Sequence, residues 1–163
     1  KNCPNIDNVL EYISSNKKIS HVLLHSSWQQ HIEEPKNIIS IKNIIDKILS
    51  LNKEIIIIGP IPEMDSNPIS KLEKLSFFEK KIIDISTPYK DHLIKNRKFI
   101  LLIDEIEKNK NIHYVDPLKV LCNKKECFAN NGTDIFYRDR SHISVNGSKK
   151  LKNMLEQILN QNN

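Results

Sequence analysis

The chain has 163 residues, enough for one domain with a core of its own, and a formal charge of +5 from 25 Lys and Arg against 20 Asp and Glu. Its lysines are interleaved with acidic residues, no arginine-rich run occurs, and aromatics make up only 6%, too few for base-stacking platforms; nucleic acid is therefore excluded as a partner. No apolar stretch approaches the length of a membrane span, and a start at Lys1 without signal peptide or presequence reads as a piece excised from a longer protein.

Taken in chain order, the apolar spacing of "NIDNVLEYIS" predicts a helix, and "HVLLH" predicts a strand that runs into Ser26, Ser27 and Trp28. A second helix over "IISIKNIIDKILSL" precedes "EIIIIGP", whose unbroken apolar run is that of a strand buried on both faces. A loop rich in Pro and Ser follows, then a long charged helix from about Tyr89 to Lys108, then the strand "IHYVDP". "GTDIFY" reads as a further extended piece. Leu151, Met154, Leu155, Ile158 and Leu159 recur at helical spacing behind Ser144, a good N-cap, and predict a terminal helix. The alternation of helix and strand argues for an α/β fold with a parallel sheet covered by helices, in one domain over residues 1–163.

In such sheets sites gather at the carboxyl ends of the strands. "HSSW", "GPIPE" and "VDP" stand there, and Asp139 and His142, three apart in a turn before the terminal helix, can join them. A carboxylate that holds one imidazole nitrogen leaves the other as a base for a hydroxyl nucleophile, which is weak without one. The same spacing is also what a solvated turn shows. Gly-x-Ser-x-Gly elbows and glycine-rich phosphate loops are absent, and a strand-end serine such as Ser26 or Ser27 is a capping or turn residue as a rule. Gly59, Pro60 and Pro62 read as turn formers ahead of Glu63. Cys122 and Cys127 can close a small ring in an oxidising compartment or stay reduced in the cytosol, with Cys3 left over. No second cysteine pair or histidine cluster completes a zinc site, and His21 and His25 lie roughly 13 Å apart on a strand, so no metal is expected.

The ordered series "HVLLHSSWQQHI", "IIIIGPIPE", a cysteine pair and "YRDRSHISVNGSKKL" resembles the SGNH-type domain attached to membrane acyltransferases of the acyltransferase 3 family. Those proteins O-acylate cell-surface sugars such as lipopolysaccharide O-antigen. The closing Asp-x-x-His-Ile-Ser-x-x-Gly is the most specific of the matching segments. The resemblance implies a three-layer α/β/α fold of the SGNH-hydrolase, flavodoxin-like type. It makes Asp139 and His142 the end of a catalytic triad whose serine stands in a Gly-Asp-Ser block ahead of the tryptophan-bearing strand. No such block occurs between Lys1 and Asn163, so the resemblance makes residues 1–163 the larger, C-terminal part of a single SGNH-like domain, inactive alone. Trp28 and Ser27 are the substrate-binding candidates, Trp28 either stacking on a sugar face or plugging the sheet edge, with His31 where family members often carry a tyrosine. A glycan acceptor and an acyl donor delivered by the attached membrane domain would be the partners, with no cofactor and no membrane contact except through that domain. A periplasmic or extracytoplasmic location follows, and with it a disulfide between Cys122 and Cys127. A carbohydrate esterase of the same fold and a non-catalytic sugar-binding or scaffold domain are the alternatives.

Overall fold

A computed structural model describes residues 5–79 and 85–160, with the backbone alone for residues 75–79. Cys3 lies outside the described residues. In chain order the elements are α1 (Ile6–Ser15), β1 (His21–Leu24), α2 (Trp28–His31), α3 (Pro35–Ser50), β2 (Glu54–Ile58), α4 (Pro68–Glu79), β3 (Ser86–Pro88), α5 (Tyr89–Lys95), α6 (Arg97–Ile106), β4 (Ile112–Val115), α7 (Leu118–Leu121), β5 (Glu126–Phe128) and α8 (Val145–Asn160). They form two compact units, residues 5–58 with 98–114 and residues 59–79 with 85–97 and 115–160. Among the described residues no helix is long and apolar enough to cross a membrane.

The first unit is built on the sheet β1-β2-β4. β1 and β2 run parallel, with His21 opposite Glu54 and Leu24 opposite Ile57. The bonds from Ile55 N–H to Asn111 O and from Gly59 N–H to Val115 O advance together along both chains, as parallel pairing of β2 and β4 requires. Ile55, Ile56 and Ile57 are at most 2% exposed. Successive side chains point to opposite faces, so the central strand is covered on both sides, which accounts for its unbroken run of isoleucine. Each of these side chains stabilises the fold by about 2 kcal/mol. Ile55 and Ile57 share a core cluster with Ile45 and Ile48 of α3 and with Phe99, Leu102 and Ile103 of α6, and Leu10 of α1 packs alongside. α3 starts three residues before its first apolar position, because Pro35 supplies a preset first turn that apolar spacing does not reveal.

The second unit has its own core of Met64, Leu72, Ile85, Leu121, Cys127, Ala129, Phe136 and Tyr137. β3 and β5 pair antiparallel in it, with Thr87 opposite Cys127. The Pro- and Ser-rich stretch read as loop contains α4 and β3. Asn67 Oδ1 accepts the N–H of Ile69 at 3.0 Å, so "NP" is a helix start with its cap and its N1 proline rather than a break. The long helix expected from Tyr89 to Lys108 is divided at Asn96. Its Nδ2 donates to His92 O at 3.0 Å, and this local bond competes with continuation of the helix. "GTDIFY" is not a strand. It turns at Gly132, whose φ is 86°, and forms isolated bridges between Asn130 and Ile135 and between Tyr137 and Ile143.

Candidate active site

Asp139 and His142 occupy the turn that the Tyr137–Ile143 bridge closes in the second unit, and Arg138 N–H donates to His142 O across it at 2.8 Å. The aspartate folds back over its own turn. Its Oδ1 accepts the N–H groups of Ser141 and His142, each at 2.9 Å, and its Oδ2 lies 2.8 Å from His142 Nδ1. The two backbone donors first, and the imidazole after them, hold the Asp139 carboxyl well below the usual carboxylate range. An ionised carboxylate can only accept, so Nδ1 carries the proton and Nε2 is the nitrogen able to take one up. The imidazole is 75% exposed. Ser141 Oγ approaches it at 3.5 Å from the Nδ1 side, away from the basic nitrogen.

The rest of the closing motif fixes this turn. Ser144 Oγ accepts Gly147 N–H at 3.1 Å as the N-cap of α8 and donates to Ile135 O at 2.6 Å, while Ser144 N–H donates to Phe136 O at 2.8 Å. A Cβ on Gly147 would stand 2.1 Å from Phe136 O, so only glycine lets α8 start so close to that carbonyl. Behind the turn, the buried Tyr137 hydroxyl donates to Pro62 O at 2.8 Å, and burial raises its pKa so that it stays a donor. Arg140 Nε donates to Met64 O at 3.0 Å, and its guanidinium reaches Glu63 Oε1 at 3.1 Å. The "GPIPE" turn is thus tied to the candidate pair by structural bonds, with Glu63 engaged by Arg140. At the end of β4, Asp116 Oδ1 accepts Leu118 N–H at 3.0 Å, and burial raises its pKa.

The model of the SGNH domain fused to acyltransferase 3 (AT3) domains matches residues 1–157. The chain belongs to this SGNH family. Comparison with curated proteins found no match. Among solved structures, the SGNH domain is similar to the periplasmic domain of a lipopolysaccharide acetyltransferase of Salmonella ser. Paratyphi A, with 22% sequence identity and a TM-score of 0.68. The match covers 94% of this chain and 61% of that one, and it establishes a shared α/β fold with a parallel sheet flanked by helices.

In the first unit of the SGNH domain, Trp28 is 6% exposed, donates from Nε1 to Ile58 O at 2.7 Å, and packs its ring 5.0 Å from that of Phe99. Its polar handle is satisfied at the end of β2 and its body fills the core beside the sheet. One edge of it joins Leu24, His25, Ser26, His31 and Ile41 around a cleft of about 320 Å³. Ser27 is exposed, and its carbonyl accepts Gln30 N–H at 2.9 Å at the start of α2. In the second unit Cys122 and Cys127 are joined by a disulfide across a turn in which Asn123 Oδ1 accepts the N–H groups of Lys125 and Glu126, each at 2.7 Å. From Cys127 the chain reaches Ala129, whose carbonyl accepts Phe136 N–H at 2.8 Å, so the bridge braces the segment that leads into the Asp139 turn. Sequence reasoning missed Tyr137 and Arg140. Both stand within "YRDRSH", but their partners lie 75 and 76 residues earlier in the chain.

Proposed function

We propose that this SGNH domain serves a cell-surface polysaccharide O-acyltransferase that moves an acyl group, acetyl in the simplest case, onto a sugar hydroxyl. The acceptor is a glycan such as lipopolysaccharide O-antigen on the extracytoplasmic side of the inner membrane, and an attached AT3 domain delivers the donor. The observation that carries this reading is the Asp139–His142 pair, with Oδ2 on Nδ1 at 2.8 Å and Nε2 left basic. In the reaction, His142 Nε2 takes the proton of a serine upstream of Lys1 as that serine attacks the donor carbonyl. The imidazolium, stabilised by Asp139, protonates the leaving group, and an acyl-serine forms. His142 then deprotonates the sugar hydroxyl as it attacks the acyl carbon, and the imidazolium returns that proton to the departing serine oxygen, so the free serine and neutral His142 are restored. Trp28 and Ser27 belong to the substrate side in this reading, and Cys122–Cys127 to an oxidising compartment.

Replacing His142 by Ala in the intact protein should lower sugar acylation by about a hundred- to ten-thousand-fold. Unchanged acylation would remove the base from the mechanism and leave a sugar-binding or scaffold role. The exposure of the His142 ring also admits water, which in place of the sugar makes the same chemistry an esterase. Mass analysis of an acylated glycan incubated with the intact protein separates the two: loss of acyl groups with no gain on fresh acceptor identifies the esterase.

A further inference from the structure

We propose that Arg140 is a positioning residue for His142, anchored through Glu63, and that it makes the candidate turn and the loop after β2 a single block. This rests on the reading of Asp139 and His142 as the proton-handling pair. Their own contacts are local and wet: the carboxylate is 45% and the imidazole 75% exposed, and pairs so exposed hold little by themselves. Arg140, between Asp139 and Ser141, supplies the long-range hold. Its Nε donates to Met64 O at 3.0 Å, its own carbonyl accepts Met64 N–H at 2.8 Å, and its guanidinium reaches Glu63 Oε1 at 3.1 Å. Met64 is 1% exposed and part of the core of this unit, so the pinch ties a surface turn to buried backbone. Lys95 of α5 stands near Glu63, with Nζ 3.9 Å from Oε2.

Two of these bonds, to Met64 O and Glu63 Oε1, use the planar fork of the guanidinium, which a lysine ammonium does not reproduce; the third is a backbone bond that any residue at 140 keeps. Tyr137, donating to Pro62 O, adds a second tie to the same loop. The Asp139 turn therefore cannot shift without breaking bonds to the core. Arg138, two residues earlier, is exposed and provides a matched control of charge in the same segment.

The test has two readouts. In the 163-residue chain, nitrogen-detected imidazole spectra report the tautomer of His142. Arg140→Ala should lower the share of the Nδ1–H form at least about twofold, as the pair loses its fixed geometry, while Arg138→Ala leaves it as it is. Arg140→Lys should resemble Arg140→Ala, and Glu63→Gln should fall between. In a longer protein that carries the upstream serine, Arg140→Ala should cost about ten- to a hundred-fold in kcat with KM within about twofold, the pattern of misplacement rather than lost binding. A folded Arg140→Ala chain with the wild-type tautomer share overturns the proposal. Should that variant not fold, unchanged shares in both Arg140→Lys and Glu63→Gln overturn it equally. A wild-type longer protein without acyl transfer sinks the functional reading and leaves the tautomer result to judge Arg140.

Discussion

His92 and Gly147 both test what burial does to a single residue. His92 is 5% exposed, and burial, with the Lys95 ammonium adding to it, pushes its pKa down to about 4. An unfolded histidine titrates near 6.5, so between those values the unfolded chain binds more protons, and stability should fall as pH drops from about 6.5 toward 4. The full effect is about 3 kcal/mol at 1.36 kcal/mol per unit. Urea unfolding at pH 7.5 and pH 5 should show about 2 kcal/mol of it, and His92→Gln should flatten the difference; equal midpoints in the wild type would refute the burial argument. Asp139 works in the opposite sense. Its lowered carboxyl contributes stability above its ordinary titration range and loses it as pH falls through the folded value, though its exposure keeps the share small. Gly147→Ala drives a methyl against the Phe136 carbonyl, which is backbone and cannot rotate aside. A loss of about 1–3 kcal/mol in thermal or chemical unfolding is expected.

At the scale of elements, the start of α8 and the β3–β5 pair hold the turn from its two ends. Ser144→Ala removes a cap and leaves Ile135 O without its donor, and should cost about 1–2 kcal/mol of stability, with Asp139–His142 geometry loosening in step. The Cys122–Cys127 ring spans a sequence separation of only 5, so its entropic contribution should stay below the roughly 3 kcal/mol of a fifteen-residue loop. Thiol counting on unreduced protein should find a single reactive cysteine of the three in the chain, and three free thiols would refute the bridge. Elements with a sustained apolar period, α1, α3, α8 and β2, were legible to within a few residues. The start of α4 was legible in principle from its Asn-Pro signature, within a stretch whose Pro and Ser content reads as loop. The division of α5 from α6 was not, because it depends on where the Asn96 side chain bonds.

For the whole molecule, the decisive comparison is between residues 1–163 and a longer protein. On the proposed function the nucleophilic serine is not among residues 1–163, and a histidine base alone forms no acyl-enzyme, so the 163-residue chain should show no burst and negligible turnover of a small acyl ester. A protein extended through a Gly-Asp-Ser block should gain that turnover and lose it again with His142→Ala, whereas Asp139→Ala should leave a weaker activity from a poorly held tautomer. Labelling of the 163-residue chain by a serine-directed phosphonate would place the nucleophile inside it, with Ser26 and Ser27 the first to map.

The sequence by itself determined the helix and strand alternation, the buried central strand and the Asp139–His142 turn with its capped helix, because these are written in periods and spacings among near neighbours. The roles of the other motif residues came only from the tertiary structure. Trp28 meets Ile58 O at a separation of 30 residues, Tyr137 meets Pro62 at 75, and Arg140 meets Met64 and Glu63 at 76 and 77. Such contacts have no period in the chain; they exist because each polar group that folding takes from water must find a partner wherever the packed backbone brings one.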